Sequence, residues 1–234
     1  MSGTNREIQL SIVTINFNNS KGLKKTLESV NQNSKVNYEV IIIDNLSNDN
    51  SLEIAKSFKN YHKRLKIIRE RDNGIYEAMN KGINFSEGKW VVFMNSGDCF
   101  FEFDNIYPLL IDDNVAVSYG NFISNGIESK PFNLNFLKKG IIHACHQSMF
   151  FNSNILQKDL KYNTEYRIYG DYELVNRIFL KGFKFVYKDI LVSKIEPDGV
   201  SQKISFQKRF DKLKIVYRSY GFRGLLNSYI KFKL

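Results

Sequence analysis

Hydrophobic and polar positions alternate between two periods along the first hundred residues of this 234-residue chain. Residues 8–15 (IQLSIVTI) form a β-branched apolar run, followed by Leu23, Leu27 and Val30 on one helical face. Residues 38–43 (YEVIII) have the near-continuous apolar character of a strand covered on both faces. A helix is predicted after Asn50, with Glu53 three positions on as its capping partner. Residues 65–68 read as a short strand, and Ile75, Ala78, Met79, Gly82 and Ile83 recur at i, i+3, i+4, i+7 and i+8, a helix stripe. Residues 90–94 (WVVFM) are the fourth strand. Strands alternating with helices through short connections predict an α/β fold with a parallel sheet and right-handed crossovers.

The second half is less regular. Residues 115–123 and 146–151 read as strands. Asp171 opens a helix with an apolar face of Leu174, Val175, Ile178 and Phe179, and residues 183–187 form a strand after the Gly182 stop. Phe206, Phe210, Leu213, Tyr217 and Tyr220 trace a helical stripe with lysines and arginines between them. These patterns place a domain over residues 1–202, with halves of about 1–100 and 101–202, and a basic helical tail over 203–234.

Composition narrows the class. Hydrophobic residues make up 43% of the chain and aromatic residues 14%, enough for a real core and too many for a disordered chain. Cys99 and Cys145 supply neither a disulfide framework nor zinc-ligand spacing, and read as small buried hydrophobes suited to a reducing cytosol. No signal peptide or transmembrane run is expected. The net charge of +10 is concentrated in residues 203–234, which hold nine basic residues against one acid, whereas the rest is nearly neutral. Such a surplus speaks of an anionic partner: a membrane surface, a nucleic acid or a phosphorylated substrate.

In open α/β sheets ligands bind at the carboxyl ends of the strands. Those ends carry Thr14, Asn16 and Phe17 after the first strand, Asp44 after the second, Asp72, Asn73 and Gly74 after the third, and Asn95, Ser96, Gly97 and Asp98 after the fourth. Neither GxGxxG nor GxxxxGK[ST] occurs, which argues against a dinucleotide fold and a P-loop NTPase. Each residue also has a plainer reading. Asp98 fits a turn, Asp44 a helix cap, Asn73 an N-cap, and His146 with Gln147 a buried hydrogen-bonded pair. His143 is read as structural.

The ordered series TINFNN, IIIDNLSNDNS, DNGIYEAMNKGI, EGKWVVFMNSGD, HQSMFF, YGDYEL and PDGVS, spanning roughly residues 8–201, resembles the family-two glycosyltransferases, especially bacterial enzymes of surface-polysaccharide and O-antigen synthesis. The resemblance implies a GT-A fold: a mostly parallel, Rossmann-like sheet flanked by helices, with a nucleotide-binding half and an acceptor-binding half. It implies inverting transfer of a sugar from a nucleotide diphosphate donor, usually a UDP-hexose, to a glycan hydroxyl, the acceptor commonly borne on a polyprenyl diphosphate. It puts Asp44 at the nucleoside base or ribose, Thr14, Asn16 and Phe17 in the same pocket, and Asp72, Asn73, Gly74 and Ser96 along the nucleotide. His146 and Gln147 would line the donor sugar or acceptor pocket. Asp98 takes the last position of the family's metal-binding acidic motif, and Asp171 that of the catalytic base.

The chemistry gives these types a purpose. A divalent cation, Mn²⁺ or Mg²⁺, can neutralise charge on the departing diphosphate, and with oxygen ligands and water one carboxylate suffices. Many relatives carry two or three acids where NSGD offers one, so weaker metal affinity without donor is expected. The attacking hydroxyl needs a base, for which Glu173 rivals Asp171; helical geometry turns those two to different faces. The tail reads either as a stripe packed on the domain or as an amphipathic anchor on anionic lipid, which would put the enzyme at the inner face of the cell membrane. A sugar nucleotidyltransferase would need a Gly-rich basic loop that TINFNNSKG lacks. A nucleic-acid module would rely on the tail alone.

Overall fold

The computed structural model describes residues 7–30, 34–139, 141–142, 144–196 and 206–230, with side chains at 206–208 and 227–230 left aside. The first half alternates β1 (Leu10–Asn16), α1 (Ser20–Glu28), β2 (Tyr38–Asp44), α2 (Ser51–Ser57), β3 (Leu65–Arg69), α3 (Ile75–Phe85) and β4 (Trp90–Phe93). Its strands lie side by side as β3-β2-β1-β4, all parallel, in keeping with the pattern of buried apolar runs. Alternate residues feed two cores. Val13, Ile41, Ile43 and Phe93 face the layer of α3, while Leu10, Ile12, Ile42 and Val92 join Leu23 and Leu27 of α1 on the other side.

The second half adds β5 (Cys99–Phe100), a 3-10 turn (Phe103–Leu109), β6 (Val117–Ser124), β7 (Ile127–Ser129), 3-10 turns at Leu134–Lys139 and His146–Ser148, β8 (Met149–Asn152), α4 (Ser153–Leu156), α5 (Gly170–Leu180), β9 (Phe185–Ile195) and α6 (Phe206–Ile230). The sheet continues β4-β8-β6-β9-β5, with β7 on β6. Because β8 runs antiparallel to both β4 and β6, the sheet is mixed beyond the parallel portion. The strand expected over 146–151 begins at Met149. Ser148 is drawn into a turn by its N–H to Cys145 O, and its hydroxyl pairs with Ser193 Oγ at 2.6 Å. The cap expected at Asn50 comes instead from Asp49, whose carboxylate accepts the N–H groups of Ser51 and Ser20.

The basic tail forms α6, with a left-handed Gly221 (φ 63°) marking a kink. It does not dock through the whole expected stripe. Asp211, Ile215 and Val216 are buried, and Tyr220 turns inward to donate to Asn176 Oδ1, while Phe210, Leu213 and Tyr217 face outward. The helical period puts the 211/215/216 face opposite the 210/213/217 face. The side chain of Phe206, and the segments holding His143 and PDGVS, lie outside the described residues.

Gly82 sets how closely α3 approaches the sheet. A Cβ there would sit 2.2 Å from Val13 Cγ1. Gly82→Val is expected to destabilise the fold by about 1–3 kcal/mol through overpacking. A urea midpoint equal to wild type would show that α3 and β1 are not in this register.

Candidate active site

At the carboxyl edge of β1–β4 the chain leaves a cleft of about 1170 Å³. The strand ends contribute Asn16, Phe17, Asp72, Gly74, Ser96 and Asp98 to its lining; the second half contributes His146, Gln147, Arg167, Tyr169 and Asp171, with Glu196 at the exit of β9. A second hollow of about 1270 Å³, bordered by Gln9, Asn37 and Tyr107, contains none of these groups.

Asp98 is 6% exposed and held on both oxygens. Gln147 Nε2 donates to Oδ2 at 2.6 Å and the Glu196 N–H to Oδ1 at 2.9 Å. Burial pushes its carboxyl above the ordinary carboxylate range, opposed by those two bonds. Gln147 is oriented in turn by Cys145, whose thiol donates to Gln147 Oε1. The Cys145 thiol is pushed up by burial, which marks it as a packing group rather than a nucleophile.

Asp171 sits on the first turn of α5. Its Oδ1 accepts the Tyr172 N–H at 2.7 Å and lies 3.5 Å from the Tyr76 hydroxyl; its Oδ2 lies 3.5 Å from His146 Nδ1. His146 Nε2 meets Asn95 Nδ2 at 3.3 Å, an arrangement that suits the tautomer with its proton on Nδ1. Tyr76 also donates to Ile168 O, and burial, with Asp171 beside it, holds its hydroxyl well above the ordinary range. Gly170 makes this approach possible, since a Cβ there would lie 2.7 Å from the Tyr76 ring. Glu173 is turned away, paired with Arg177 Nε at 2.9 Å, so Asp171 is the acid of this pair that faces the cleft.

The remaining expected residues divide. Asp44 is 3% exposed and lies beneath the cleft wall, where Ser47 N–H, Ser47 Oγ and Asn16 Nδ2 donate to it and Arg69 Nε stands at 3.5 Å. Asn16 links it to the cleft. Thr14 is fully buried on the α1 side of β1. Asn73 is exposed and donates twice to Glu77 Oε2, supporting the start of α3 rather than lining the cleft. Asp72 lines the cleft, receives the Gly74 N–H, and is raised by burial. Asn95, foreseen at the end of the fourth strand, lines the cleft, and Glu196, Tyr76 and Arg167 are in or beside the site without having been singled out. Glu196 directly precedes the PDGVS motif, Arg167 stands two positions before the YGDYEL motif, and Tyr76 lies inside DNGIYEAMNKGI, the signals that could have found them.

Thr14 Oγ1, Asn16 Oδ1, Asn95 Oδ1 and Ser96 Oγ are buried without a hydrogen-bond partner among the described residues. Three of these belong to residues that line the cleft. Each oxygen of Asp98 keeps a lone pair beyond the bond it accepts. Hard oxygen donors of this kind fit a Mg²⁺ or Mn²⁺ ion that keeps other ligands. No group of three His, Cys, Asp or Glu is gathered among the described residues, so a metal here would draw most of its ligands from substrate and water.

A parallel nucleotide-type half joined to a mixed second half, with acids converging on the shared edge, is the GT-A arrangement. The chain belongs to glycosyl transferase family 2, whose model matches residues 11–181. Among similar proteins, a PGL/p-HBAD biosynthesis glycosyltransferase of Mycobacterium bovis is 29% identical over 183 residues, covering 72% of this chain and 69% of that protein. The structure of S. aureus TarS 1–349 in complex with UDP-GlcNAc superposes with a TM-score of 0.74 at 15% identity, covering 94% of this chain and 70% of that one. The mannosyltransferase PcManGT of Pyrobaculum calidifontis, in complex with GDP-Man and Mn²⁺, gives 0.64 at 13% identity over 95% and 73%.

The buried Asp98 carboxylate makes a stability prediction. Its folded pKa is raised, so the folded chain binds more protons than the unfolded one, and ionisation costs stability as pH climbs through the folded pKa. The melting temperature of Asp98→Asn relative to wild type should therefore rise with pH above about 4, the ordinary carboxylate range, whatever the constant cost of turning an amide NH₂ toward Gln147 or the Glu196 N–H. Thermal melts across pH test this, and a difference between the two proteins that does not change with pH counts against it.

Proposed function

We propose that this protein is an inverting glycosyltransferase that moves a hexose from a UDP-linked donor to a hydroxyl of a lipid-borne glycan acceptor in surface-polysaccharide synthesis. The observation that carries the reading is the bridging of two acids by neighbouring residues: Gln147 holds Asp98 and His146 faces Asp171, across one cleft. The UDP and UDP-GlcNAc complexes of TarS support a UDP-sugar donor, and the Mn²⁺ complex of PcManGT supports a divalent metal.

The nucleotide lies along the strand ends, with Asn16, Phe17, Asp72, Gly74 and Ser96 as its wall. Asp98 would hold a divalent cation, with Glu196 close by. That ion, when bound, supplies positive charge for the departing diphosphate. In the same cleft Asp171 takes the proton of the acceptor hydroxyl as that oxygen bonds to the anomeric carbon. The bond from that carbon to the diphosphate oxygen breaks, and the nucleoside diphosphate leaves with its electron pair. Attack from the side opposite the leaving group inverts the anomeric configuration. His146 and Tyr76 orient Asp171, and a carboxylate so fixed loses no time to rotation away from the hydroxyl.

Asp171→Asn should reduce sugar transfer by at least about 10²-fold, the scale of a lost general base, while UDP binding is kept. Glu173→Gln should transfer sugar normally. Turnover close to wild type in Asp171→Asn would reject the assignment.

The outward face of α6 supports a reading of attachment to a membrane surface. Phe210 and Tyr217 are each 57% exposed, Leu213 is 49% exposed, and Arg209 is exposed beside Phe210. Aromatic and basic groups on one outward face suit the headgroup region of anionic lipid. Among the described residues no helix is long and apolar enough to cross a membrane. The wild-type chain is expected to sediment with phosphatidylglycerol-containing vesicles. The triple variant Phe210→Ser, Leu213→Ser, Tyr217→Ser should stay in the supernatant. Equal sedimentation of the two proteins would remove α6 as the contact.

A further inference from the structure

Three cationic side chains line the cleft, and they are not equivalent. Lys21 stands on α1 at the donor edge, and Lys130 is paired with Asp189 at 2.9 Å. Arg167 stands on the acceptor side, two residues from Tyr169 and four from Asp171, and its guanidinium has no partner among the described residues. An exposed arginine without a partner is ordinary on a surface. What sets this one apart is how firmly its backbone is held while its side chain is left available.

The Arg167 N–H donates to Oδ2 of Asp211 on α6, and Asp211 is 2% exposed. Just before it, Tyr166 is buried, with Lys214 over its ring and Arg218 donating to its hydroxyl at 3.1 Å. Glu165 takes both Lys214 and Arg218, whose hydrogen bonds, with their charges, hold its carboxyl down at about 2. Just after it, Ile168 O accepts the Tyr76 hydroxyl from α3. Residues 165–168 are thus gripped by α6 on one side and by α3 on the other. Asp211 adjoins Phe210, the start of the outward aromatic face, so the helix that presents this face also anchors the arginine at the cleft.

We propose that Arg167 is an anion site on the acceptor side of the cleft, taking the phosphate or diphosphate that joins the acceptor sugar to its lipid. The proposal rests on the glycosyl-transfer reading above and adds to it a residue that recognises the acceptor. A guanidinium presents a planar fork of donors that matches phosphate oxygens two at a time, which a lysine cannot do. An acceptor whose lipid lies at the surface bound by α6 has its charged linkage at headgroup level. The 165–168 segment ties Arg167 to α6 through Asp211 and carries it in the same cleft as Asp171, four residues on.

The test uses the full chain with saturating UDP, so that the donor end is filled, and measures farnesyl diphosphate and inorganic pyrophosphate binding by titration calorimetry. Wild type should bind farnesyl diphosphate. Arg167→Ala should weaken it by about tenfold or more, the scale of lost hydrogen bonds to a charged group, and Arg167→Lys should recover only part of this. UDP affinity should be the same in all three proteins. Farnesyl diphosphate binding in Arg167→Ala equal to wild type, with UDP binding intact, overturns the site. Pyrophosphate binding as tight as farnesyl diphosphate overturns its assignment to a lipid-linked anion. Failure of wild type to bind UDP strikes the glycosyl-transfer reading itself, and this inference falls with it.

Discussion

Two carboxylates repel each other, yet Asp98 and Asp171 both line this cleft. The constraint that reconciles them is the His146–Gln147 dipeptide, whose adjacent side chains turn to opposite acids. A dipeptide has a short, nearly fixed reach, so it sets the separation of Asp98 and Asp171 more firmly than a loop could. The dipeptide is itself held in a 3-10 turn, because Ser148 is tied to Asn121 O and Ser193 Oγ, and Met149 then enters the sheet fully buried. The mixed portion of the sheet therefore has a chemical consequence. Only an antiparallel β8 beside β4 brings residues 146 and 147 back to the end of the strand that leads to Asp98.

The site carries an electrostatic cost in the absence of ligand. Asp98 is desolvated, Asp72 is raised by burial, and several oxygens at the ends of β1 and β4 have no partner among the described residues. Each buried group left unsatisfied costs on the order of 1–3 kcal/mol. Such groups are preorganised to meet a ligand's hydroxyls or a cation, and binding relieves the cost that folding incurred. Asp44 shows the contrasting solution. Its carboxylate is satisfied by Ser47 and Asn16, so it stiffens the strand ends from beneath the cleft wall.

The same economy of parts links surface and site. Asp211, Lys214 and Arg218 of α6 act on residues 165–167, and Asp171 begins α5 only a few positions later. Tyr220 and Ser219 reach Asn176 on α5 itself. The basic residues that make the tail conspicuous are thus partly internal ties, and the outward charge is smaller than the composition suggests. This shared framework couples α6 mechanically to the part of the cleft that carries Asp171.

The amino-acid sequence by itself determined the parallel half of the sheet, α3 and α5, because buried strands and one-sided helices impose their periods directly on side-chain polarity. The placement of Asp98 just after β4 and of Asp171 at the start of α5 was legible for the same reason. The short strands β5 and β7, the late start of β8 and the capping by Asp49 were not legible, since two or three residues carry no period and their partners are distant in the chain. Periodicity also could not divide α6 into its docked and outward faces, because apolar and charged residues occur on both. Tertiary structure alone decided that Glu173 pairs with Arg177, that Thr14 and Asp44 lie beneath the cleft wall, and that Arg167, Glu196 and Tyr76 belong to the site. Those outcomes depend on which elements meet in space, and a contact between residues a hundred positions apart leaves no mark on either one's neighbours.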